Sequence, residues 1–325
     1  MLQEKIFNIS TQEEFNNLAL KIFNFQFKNN KVYRSFCDLL YVHPGDVTTV
    51  EAIPYLPIEF FKTRTILSSS DTPLISFTSS GTTGSVTSKH HVTDLSIYEK
   101  SYLNAFHQFY GAIEDYVVLA LLPSYLEREG SSLIYMVDDL IKKSKHPESG
   151  FYLNDLKSLK QKLIALDKIG QKVLLIGVSF ALLDLIEEYK FNLSNTIVME
   201  TGGMKGRRKE IIRPELHELL KEGFGVSQIH SEYGMTELLS QAYSTGNGIF
   251  KCPSWMKVLT RELEDPLSIQ SGNKTGGINV IDLANLNSCS FIATQDLGRK
   301  HLDGSFEILG RFDHSDIRGC NLMAL

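Results

Sequence analysis

Short apolar segments alternate with amphipathic helical segments through the middle of the sequence, and this alternation constrains the fold more than any other feature. The pattern predicts strands at 116–122, 172–178, 195–200 and 226–230. It predicts helices at 131–143, 156–169, 180–190 and 214–222, the last of them closed by Gly223. Strands that are separated by helices pair in parallel through right-handed crossovers. We therefore expect an α/β fold with layered mixed or parallel sheets and flanking helices.

The two ends of the sequence carry different patterns. Thr11 and Glu14 form a capping-box pair ahead of a phenylalanine-rich helical stripe. After residue 245 the helical period fades, and short apolar runs appear at 278–283, 290–293 and 306–309, the last preceded by the Asp303-Gly304 turn. We predict an α/β core at 1–244, a smaller β-rich subdomain at 245–312 and a short tail at 313–325.

Composition excludes several classes of protein. Hydrophobic residues make up 42% and charged residues 22% of the 325 positions, which is ordinary for a globular protein. A net charge of -5 argues against nucleic acid as a partner. Four scattered cysteines form no disulfide framework or CxxC pair, and no apolar run approaches the ~20 residues of a spanning helix. We expect a cytoplasmic protein without stable membrane insertion.

A loop rich in glycine and hydroxyl groups is the sharpest local signal. It comprises Ser79, Ser80, Gly81, Thr82, Thr83 and Gly84. Glycines let the backbone turn its N–H groups toward an anion, and the hydroxyls add donors that suit a polyphosphate. The loop lacks the Gly-Lys-Ser/Thr ending of a Walker A motif, and taken alone such a segment is more often an ordinary surface turn.

Two further segments follow predicted strands. The first contains Gly202, Gly203 and Met204, where a ligand can approach the backbone closely. The second contains Tyr233, Gly234, Thr236 and Glu237 and offers an aromatic face, a hydroxyl and a carboxylate within five positions. Taken alone, the first segment is more often a plain exit from a strand, and the tyrosine and glutamate of the second are common in loops.

The order of these segments is more informative than any one of them. The loop at 79–84, the Gly-Gly-Met turn, Tyr-Gly-Met-Thr-Glu, Thr294-Gln295-Asp296 and Gly310-Arg311-Phe312-Asp313 resemble the signature series of the adenylate-forming superfamily. Within it, Pro123 to Glu127 with Gly130 to Leu133, Met199 to Lys205 and Ser315 to Leu322 are similar to the acyl-protein synthetases of bacterial luminescence, the LuxE family. The resemblance implies an ATP-dependent, AMP-forming ligase.

The resemblance also implies roles for individual residues. The loop at 79–84 would hold the β- and γ-phosphates of ATP, while Gly202, Gly203 and Met204 would edge the adenine pocket. Tyr233, followed by Gly234, would stack on the base, and Thr236 would touch the α-phosphate. Glu237 would hold Mg²⁺. Asp296 would accept hydrogen bonds from the ribose, with Arg311 nearby.

The sequence departs from the superfamily pattern in two places. Four residues, Ser85 to Ser88, separate the loop from Lys89, so the usual role of the loop lysine is not assigned to it. Asp313 matches the superfamily's hinge position, and the sequence continues only twelve residues beyond it, to Leu325. We therefore expect the small C-terminal domain, which carries a catalytic lysine, to be lacking.

A cysteine near the end offers another way to use an acyl-adenylate. Cys320 lies seven residues past Asp313, and seven extended residues reach about 23–25 Å. Thiolates are strong nucleophiles, although a lone cysteine is usually a small buried apolar residue. In the family that the sequence resembles, a C-terminal cysteine accepts the acyl group, so the resemblance implies that Cys320 forms a thioester.

Other functions stay open at the level of sequence. A CoA ligase of the phenylacetate-CoA ligase type would share most of the motifs, and a degenerate chain would only bind nucleotide or acyl groups. The acid itself is not readable. A fatty acid, and delivery to an acyl reductase or carrier partner, are what the resemblance implies.

Overall fold

A computed structural model describes residues 2–79, 86–124, 128–202, 208 and 211–312. The helices are α1 (Leu2–Ile6), α2 (Gln12–Asn29), α3 (Lys31–Leu39), α4 (Phe60–Thr63), α5 (Leu95–Tyr110), α6 (Ser132–Ser144), α7 (Leu156–Lys168), α8 (Ser179–Glu188) and α9 (Arg213–Phe224). Short 3₁₀ helices lie at Val50–Ala52, Ile113–Asp115 and Leu283–Asn285. The predicted α/β class is confirmed.

The strands fall into one large mixed sheet and one separate hairpin. They are β1 (Leu56–Pro57), β2 (Ile75–Thr78), β3 (Lys89–Val92), β4 (Val117–Leu121), β5 (Gly150–Phe151), β6 (Val173–Gly177), β7 (Thr196–Thr201), β8 (His230–Tyr233), β9 (Ala242–Ser244), β10 (Phe250–Lys251), β11 (Met256–Arg261), β12 (Thr275–Asp282), β13 (Phe291–Lys300) and β14 (Phe306–Arg311). The sheet runs β11-β12-β13-β14-β10-β9-β8-β7-β6-β4-β5, with β1 added to β13, while β2 and β3 pair with each other.

The sheet contains a parallel half and an antiparallel half. Strands β5, β4, β6, β7 and β8 are parallel neighbours, as the alternation of strands and helices predicts. Every residue of β4 and β6 is buried, which explains their continuous apolar sequences. From β9 onward the main pairings are antiparallel. The carboxyl ends of β7 and β8 therefore lie next to each other.

The amphipathic helix predicted near the start of the chain is confirmed as α2. Thr11 caps it, and Glu14 completes a reciprocal capping box. Its phenylalanine stripe packs on the antiparallel half of the sheet, where the ring of Phe23 lies 6.2 Å from that of Phe291 at its edge. Within the same interface, Gln26 donates to the backbone carbonyls of Asn285 and Leu286.

Three local predictions are wrong in detail. Helix α9 does not end at Gly223; it continues to Phe224 and is capped by Gly225, whose φ of 68° is left-handed. The strand predicted at 226–230 begins only at His230, so Ser231, Glu232 and Tyr233 lie within β8 rather than after it. The strand predicted at 290–293 extends to Lys300, because its edge pairs with β14 along the longer stretch.

The proposed division at residue 245 stays a prediction, although strands from both sides of it share one sheet. β9 ends at Ser244 and pairs directly with β10, which begins at Phe250. Among the described residues, no helix combines the length and the apolar character that crossing a bilayer requires.

Candidate active site

The hairpin β2–β3 holds the base of the glycine- and hydroxyl-rich loop. The backbone N–H of Ser79 donates to the carbonyl of Ser88 (3.1 Å), and the Ser88 N–H donates to the Ser79 hydroxyl (2.9 Å). Antiparallel pairing of Phe77 with His90 continues the ladder below this closure. The structure therefore places the two ends of the loop together, while its predicted phosphate-binding residues Ser80, Gly81, Thr82, Thr83 and Gly84 lie outside the described residues.

The same hairpin contacts the Tyr-Gly-Met-Thr-Glu segment. The Ser88 hydroxyl lies close enough to the Glu237 carboxyl group to lower its pKa, and the Nδ1 atom of His90 lies 2.9 Å from the Thr236 carbonyl oxygen. Both hairpin residues are buried, with exposed fractions of 2% and 1%. Polar groups of the hairpin and of the Tyr-Gly-Met-Thr-Glu segment, which are about 150 positions apart in the sequence, are thus in contact.

Asp296 connects Tyr233 to Arg311. The Tyr233 hydroxyl donates to Asp296 Oδ2 (2.8 Å), and Arg311 Nε donates to Oδ1 (3.1 Å). Asp296 on β13 is paired with Arg311 on β14, which is the structural reason for their fifteen-residue spacing. Burial, followed by the negative charge of Asp296, raises the pKa of Tyr233 well above its ordinary value. Tyr233 is therefore a neutral donor at physiological pH.

The ring of Tyr233 is packed at the edge of two phenylalanines. Its centroid lies 5.9 Å from that of Phe250 and 5.6 Å from that of Phe306, both in edge-to-face geometry. Only 8% of the residue is exposed. The ring is held rigidly at the end of β8, and its stacking on a nucleobase stays a prediction.

Glu237 is a buried carboxyl group with an exposed fraction of 5%. Burial raises its pKa, against the opposing effects of the Ser88 hydroxyl and of the positive charges of Arg311 and Lys62. A buried carboxylate is costly to ionise unless a cation accompanies it, so its chemistry fits a Mg²⁺ ligand. Among the described residues, no three His, Cys, Asp or Glu side chains gather as a metal cage. A metal held here would take its other ligands from phosphate and water, as Mg²⁺ usually does.

The carboxyl end of β7 supplies the predicted Gly-Gly-Met turn. Gly202 has a φ of 66°, and its carbonyl accepts a hydrogen bond from the Ser179 hydroxyl (2.7 Å). Gly203 and Met204 lie outside the described residues. Directly after β8, a Cβ atom at Gly234 would overlap the Glu232 carboxylate, so a larger residue here would displace that carboxylate.

Two buried glutamates at this edge of the sheet were not among the predicted site residues. Glu200 accepts a hydrogen bond from Arg213 (3.2 Å), and Glu232 accepts one from the Thr201 hydroxyl (2.5 Å). Burial raises the pKa of Glu232 to about 7, with a smaller contribution from the charge of Glu200. Their positions at the ends of two predicted parallel strands were the available sequence signal, because adjacent strand ends bring such residues together.

Of the cysteines that the structure describes, Cys37 and Cys289 are buried and Cys252 is half-buried. Cys37, Cys252 and Cys289 are free, and burial raises the pKa of Cys37 and Cys252 to about 12. Such thiols are inert at neutral pH. Cys320, the predicted acyl acceptor, lies outside the described residues.

A family model matches the first third of the sequence. Residues 2–107 match the acyl-protein synthetase family LuxE. The matched region contains the hairpin and its loop, whereas Tyr233, Glu237, Asp296 and Arg311 lie beyond it. No curated protein matches this sequence.

Solved structures extend the comparison to nearly the whole chain. An open conformation of 2-hydroxyisobutyryl-CoA ligase, solved with 2-HIB-AMP and CoA, superposes with a TM-score of 0.69 at 12% identity over 94% of this chain and 72% of that one. ATP-bound MatB from Rhodopseudomonas palustris gives 0.55 at 15% identity over 75% and 49%.

The chain thus spans about half the length of MatB, and these identities are low enough that the likeness concerns the fold alone. Together with the family match, the comparisons confirm the resemblance predicted from the motif series. Residues 2–107 match the acyl-protein synthetase family LuxE, and the chain shares its fold with adenylate-forming ligases.

Proposed function

We propose that the protein is an AMP-forming ligase that activates a carboxylic acid with ATP. The observation that carries the proposal is the contact between the loop hairpin and the Thr236–Glu237 turn, made by Ser88 and His90. The contact joins the base of the hairpin to the segment that carries Glu237, and the nearby Tyr233 on the same segment hydrogen-bonds to Asp296. We propose that Mg·ATP binds between these segments.

In the first step, a carboxylate oxygen of the substrate forms a bond to the α-phosphorus of ATP, and pyrophosphate leaves with the electron pair of the broken P–O bond. The residues of this chain act mainly by positioning and electrostatics. Residues 79–84 donate hydrogen bonds to the leaving pyrophosphate, and Thr236 contacts the α-phosphate. Asp296, oriented by Tyr233 and Arg311, receives the ribose hydroxyls. Mg²⁺ held by Glu237 would offset charge on the phosphates.

In the second step, the Cys320 thiolate attacks the acyl carbon, and AMP leaves with the electron pair of the acyl–oxygen bond. The thioester would then be delivered to an acyl reductase or acyl carrier. The match to an acyl-protein synthetase family supports a protein thiol as acceptor, and a fatty acid is the substrate class that this family resemblance implies.

A second acceptor has its own support. The ligase with the similar fold is solved with both an acyl-adenylate and CoA, so CoA is the alternative thiol. The two acceptors predict different products from the same adenylate.

The test uses the full chain, Mg·ATP and radiolabelled acids of different length. We expect pyrophosphate release that depends on the acid, and label that stays on the denatured protein. Cys320→Ser should lose the bound label and keep pyrophosphate exchange, whereas the matched control Cys252→Ser should keep both. If thioester formation requires CoA and survives Cys320→Ser, the acceptor is CoA and not the protein thiol.

The nucleotide site is tested by Asp296→Ala. Loss of the carboxylate removes the hydrogen-bond acceptor that Tyr233 and Arg311 share and the proposed acceptor for the ribose. Acid-dependent pyrophosphate exchange should therefore fall at least about tenfold. Glu218→Ala on the exposed face of α9, where the side chain is 75% exposed, is the control. Unchanged nucleotide binding in the Asp296 variant would contradict the proposed site.

A further inference from the structure

His90 is held in a defined protonation state by the turn it contacts. Its Nδ1 atom lies 2.9 Å from the Thr236 carbonyl oxygen, and a carbonyl only accepts hydrogen bonds. The Nδ1 atom therefore carries the proton of this contact. Burial lowers the pKa of His90 to about 4 and outweighs the opposite effects of the Thr236 carbonyl and the Asn285 side chain, so the imidazole is neutral and its Nε2 atom is an acceptor.

Asn285 makes the matching contact on the next residue. Its Nδ2 atom donates to the Glu237 carbonyl oxygen (2.6 Å), and the side chain is fully buried. Since the amide nitrogen faces Glu237, the Oδ1 atom faces away from it and is also an acceptor. Two consecutive carbonyls of the Tyr-Gly-Met-Thr-Glu segment are thus held by two side chains from different elements, β3 and the 3₁₀ helix Leu283–Asn285.

Within the described residues, three polar atoms next to these contacts make no hydrogen bond of ordinary length and angle, although the side chains of His90 and Asn285 are close enough to affect each other. They are His90 Nε2, Asn285 Oδ1 and Thr93 Oγ1, and all are buried. The three residues line one small cavity of about 10 Å³, the space that a single water occupies. Leaving such groups unpaired costs stability, whereas one water satisfies all three. Such a water would donate its two O–H groups to Nε2 and Oδ1 and would accept a hydrogen bond from the Thr93 hydroxyl.

We propose that one buried water joins His90, Asn285 and Thr93, and that His90 and Asn285 are positioning residues for Thr236 and Glu237. Just after Glu237, the chain is held by Asp282, which accepts hydrogen bonds from the Leu239 N–H (2.7 Å) and the Ser240 hydroxyl (2.6 Å). The backbone of Thr236 and Glu237, which are predicted to contact the α-phosphate and Mg²⁺, is therefore held by hydrogen bonds to its own carbonyls and to the residues that follow. The effect on catalysis rests on the proposed function; the water and the tautomer do not.

The first test is spectroscopic and independent of activity. Long-range ¹H–¹⁵N spectra of the full chain, assigned through His90→Asn, should show a neutral imidazole protonated at Nδ1 from pH 5 to pH 8. Thr93→Val should change the Nε2 shift, because the water loses its only donor, and Thr93→Ser should restore it. An imidazole protonated at Nε2, or an Nε2 shift that Thr93→Val leaves unchanged, would overturn the inference.

The second test compares two amides at position 90. Asparagine can place its amide nitrogen near the Nδ1 position and retain the donor to Thr236, whereas glutamine extends toward the cavity. If His90 acts by holding the turn, His90→Gln should lower kcat for pyrophosphate exchange about tenfold with little change in the KM for the acid, and His90→Asn should restore most of it. Equal losses in both variants refute the positioning role.

The two tests separate this inference from the proposed function. Absence of acid-dependent pyrophosphate exchange in the wild-type protein would remove the proposed function, while the nitrogen spectra would still decide whether the water and the tautomer exist. Circular dichroism of each variant identifies one that has failed to fold. If Thr93→Val does, the wild-type spectrum still decides the inference, because an imidazole protonated at Nε2 overturns it.

Discussion

At the scale of single residues, the site contains buried carboxyl groups. Their neighbours offset the free-energy cost of ionising them to different degrees. Burial of Glu200 would raise its pKa, but hydrogen bonding with His217 and the positive charge of Arg213 outweigh it, and the pKa is lowered. Glu232, on the next strand, has only the Thr201 hydroxyl to oppose burial. One of two neighbouring glutamates is therefore ionised, and the other is protonated over part of the physiological range.

The unequal pair predicts a pH dependence of stability. The pKa of Glu232 is about 7 in the folded state and 4.5 in the ordinary state, so folding favours its protonated form. Its contribution is fully present below pH 4.5 and is lost as the pH rises through 7. Glu232→Gln should remove this loss and raise the free energy of unfolding at pH 8 by roughly 1–3 kcal/mol.

Urea unfolding at pH 4 to 8 measures this effect. Glu218→Gln on the exposed face of α9 is the matched control and should keep the wild-type slope of stability against pH. An unchanged slope in Glu232→Gln would mean that another buried group, such as Asp282, sets the pH dependence; burial raises the pKa of Asp282 to about 6.

At the scale of elements, the packing of α9 on α8 depends on a glycine within the helix. A Cβ atom at Gly223 would lie 2.5 Å from the Cβ of Ile186, far inside a normal contact. Gly223→Ala should therefore push the helices apart and cost about 1–3 kcal/mol of stability, although alanine favours the helix itself.

The measurement is the urea midpoint of Gly223→Ala compared with Glu222→Ala, at the adjacent exposed position of the same helix. The control should be neutral or slightly stabilising. A Gly223→Ala variant as stable as the control would show that α8 and α9 can accommodate the added methyl group, contrary to the close approach of Ile186.

At the scale of the whole molecule, one sheet joins the parallel and antiparallel halves. β8, β9 and β10 pair in succession, and β10 pairs in turn with β14. The Tyr233–Asp296 hydrogen bond crosses the same region. We therefore predict a single calorimetric unfolding transition that Mg·ATP shifts upward as a unit. Two transitions, only one of which responded to Mg·ATP, would instead support independent units at 1–244 and 245–312.

Local interactions made several elements predictable from the sequence. The capping box at Thr11 and Glu14, the apolar runs of β4 and β6, and the amphipathic faces of α6 and α7 each depend on residues close together in the chain. The spacing of Asp296 and Arg311 belongs to the same class, because the two residues face each other across consecutive strands. Motif order added the expectation of a nucleotide site.

Tertiary structure alone decided how distant segments meet. No local pattern pairs β1 with β13, sets Thr201 opposite Glu232, or brings His90 to Thr236 across 146 positions. The cap of α9 is Gly225 and not Gly223 for a similar reason. Gly223 is a glycine because α8 packs closely against it, whereas Gly225 is the residue with the left-handed backbone that ends the helix. Helical periods and caps follow from short-range hydrogen bonding, whereas strand register and buried polar contacts follow from packing between segments far apart in sequence.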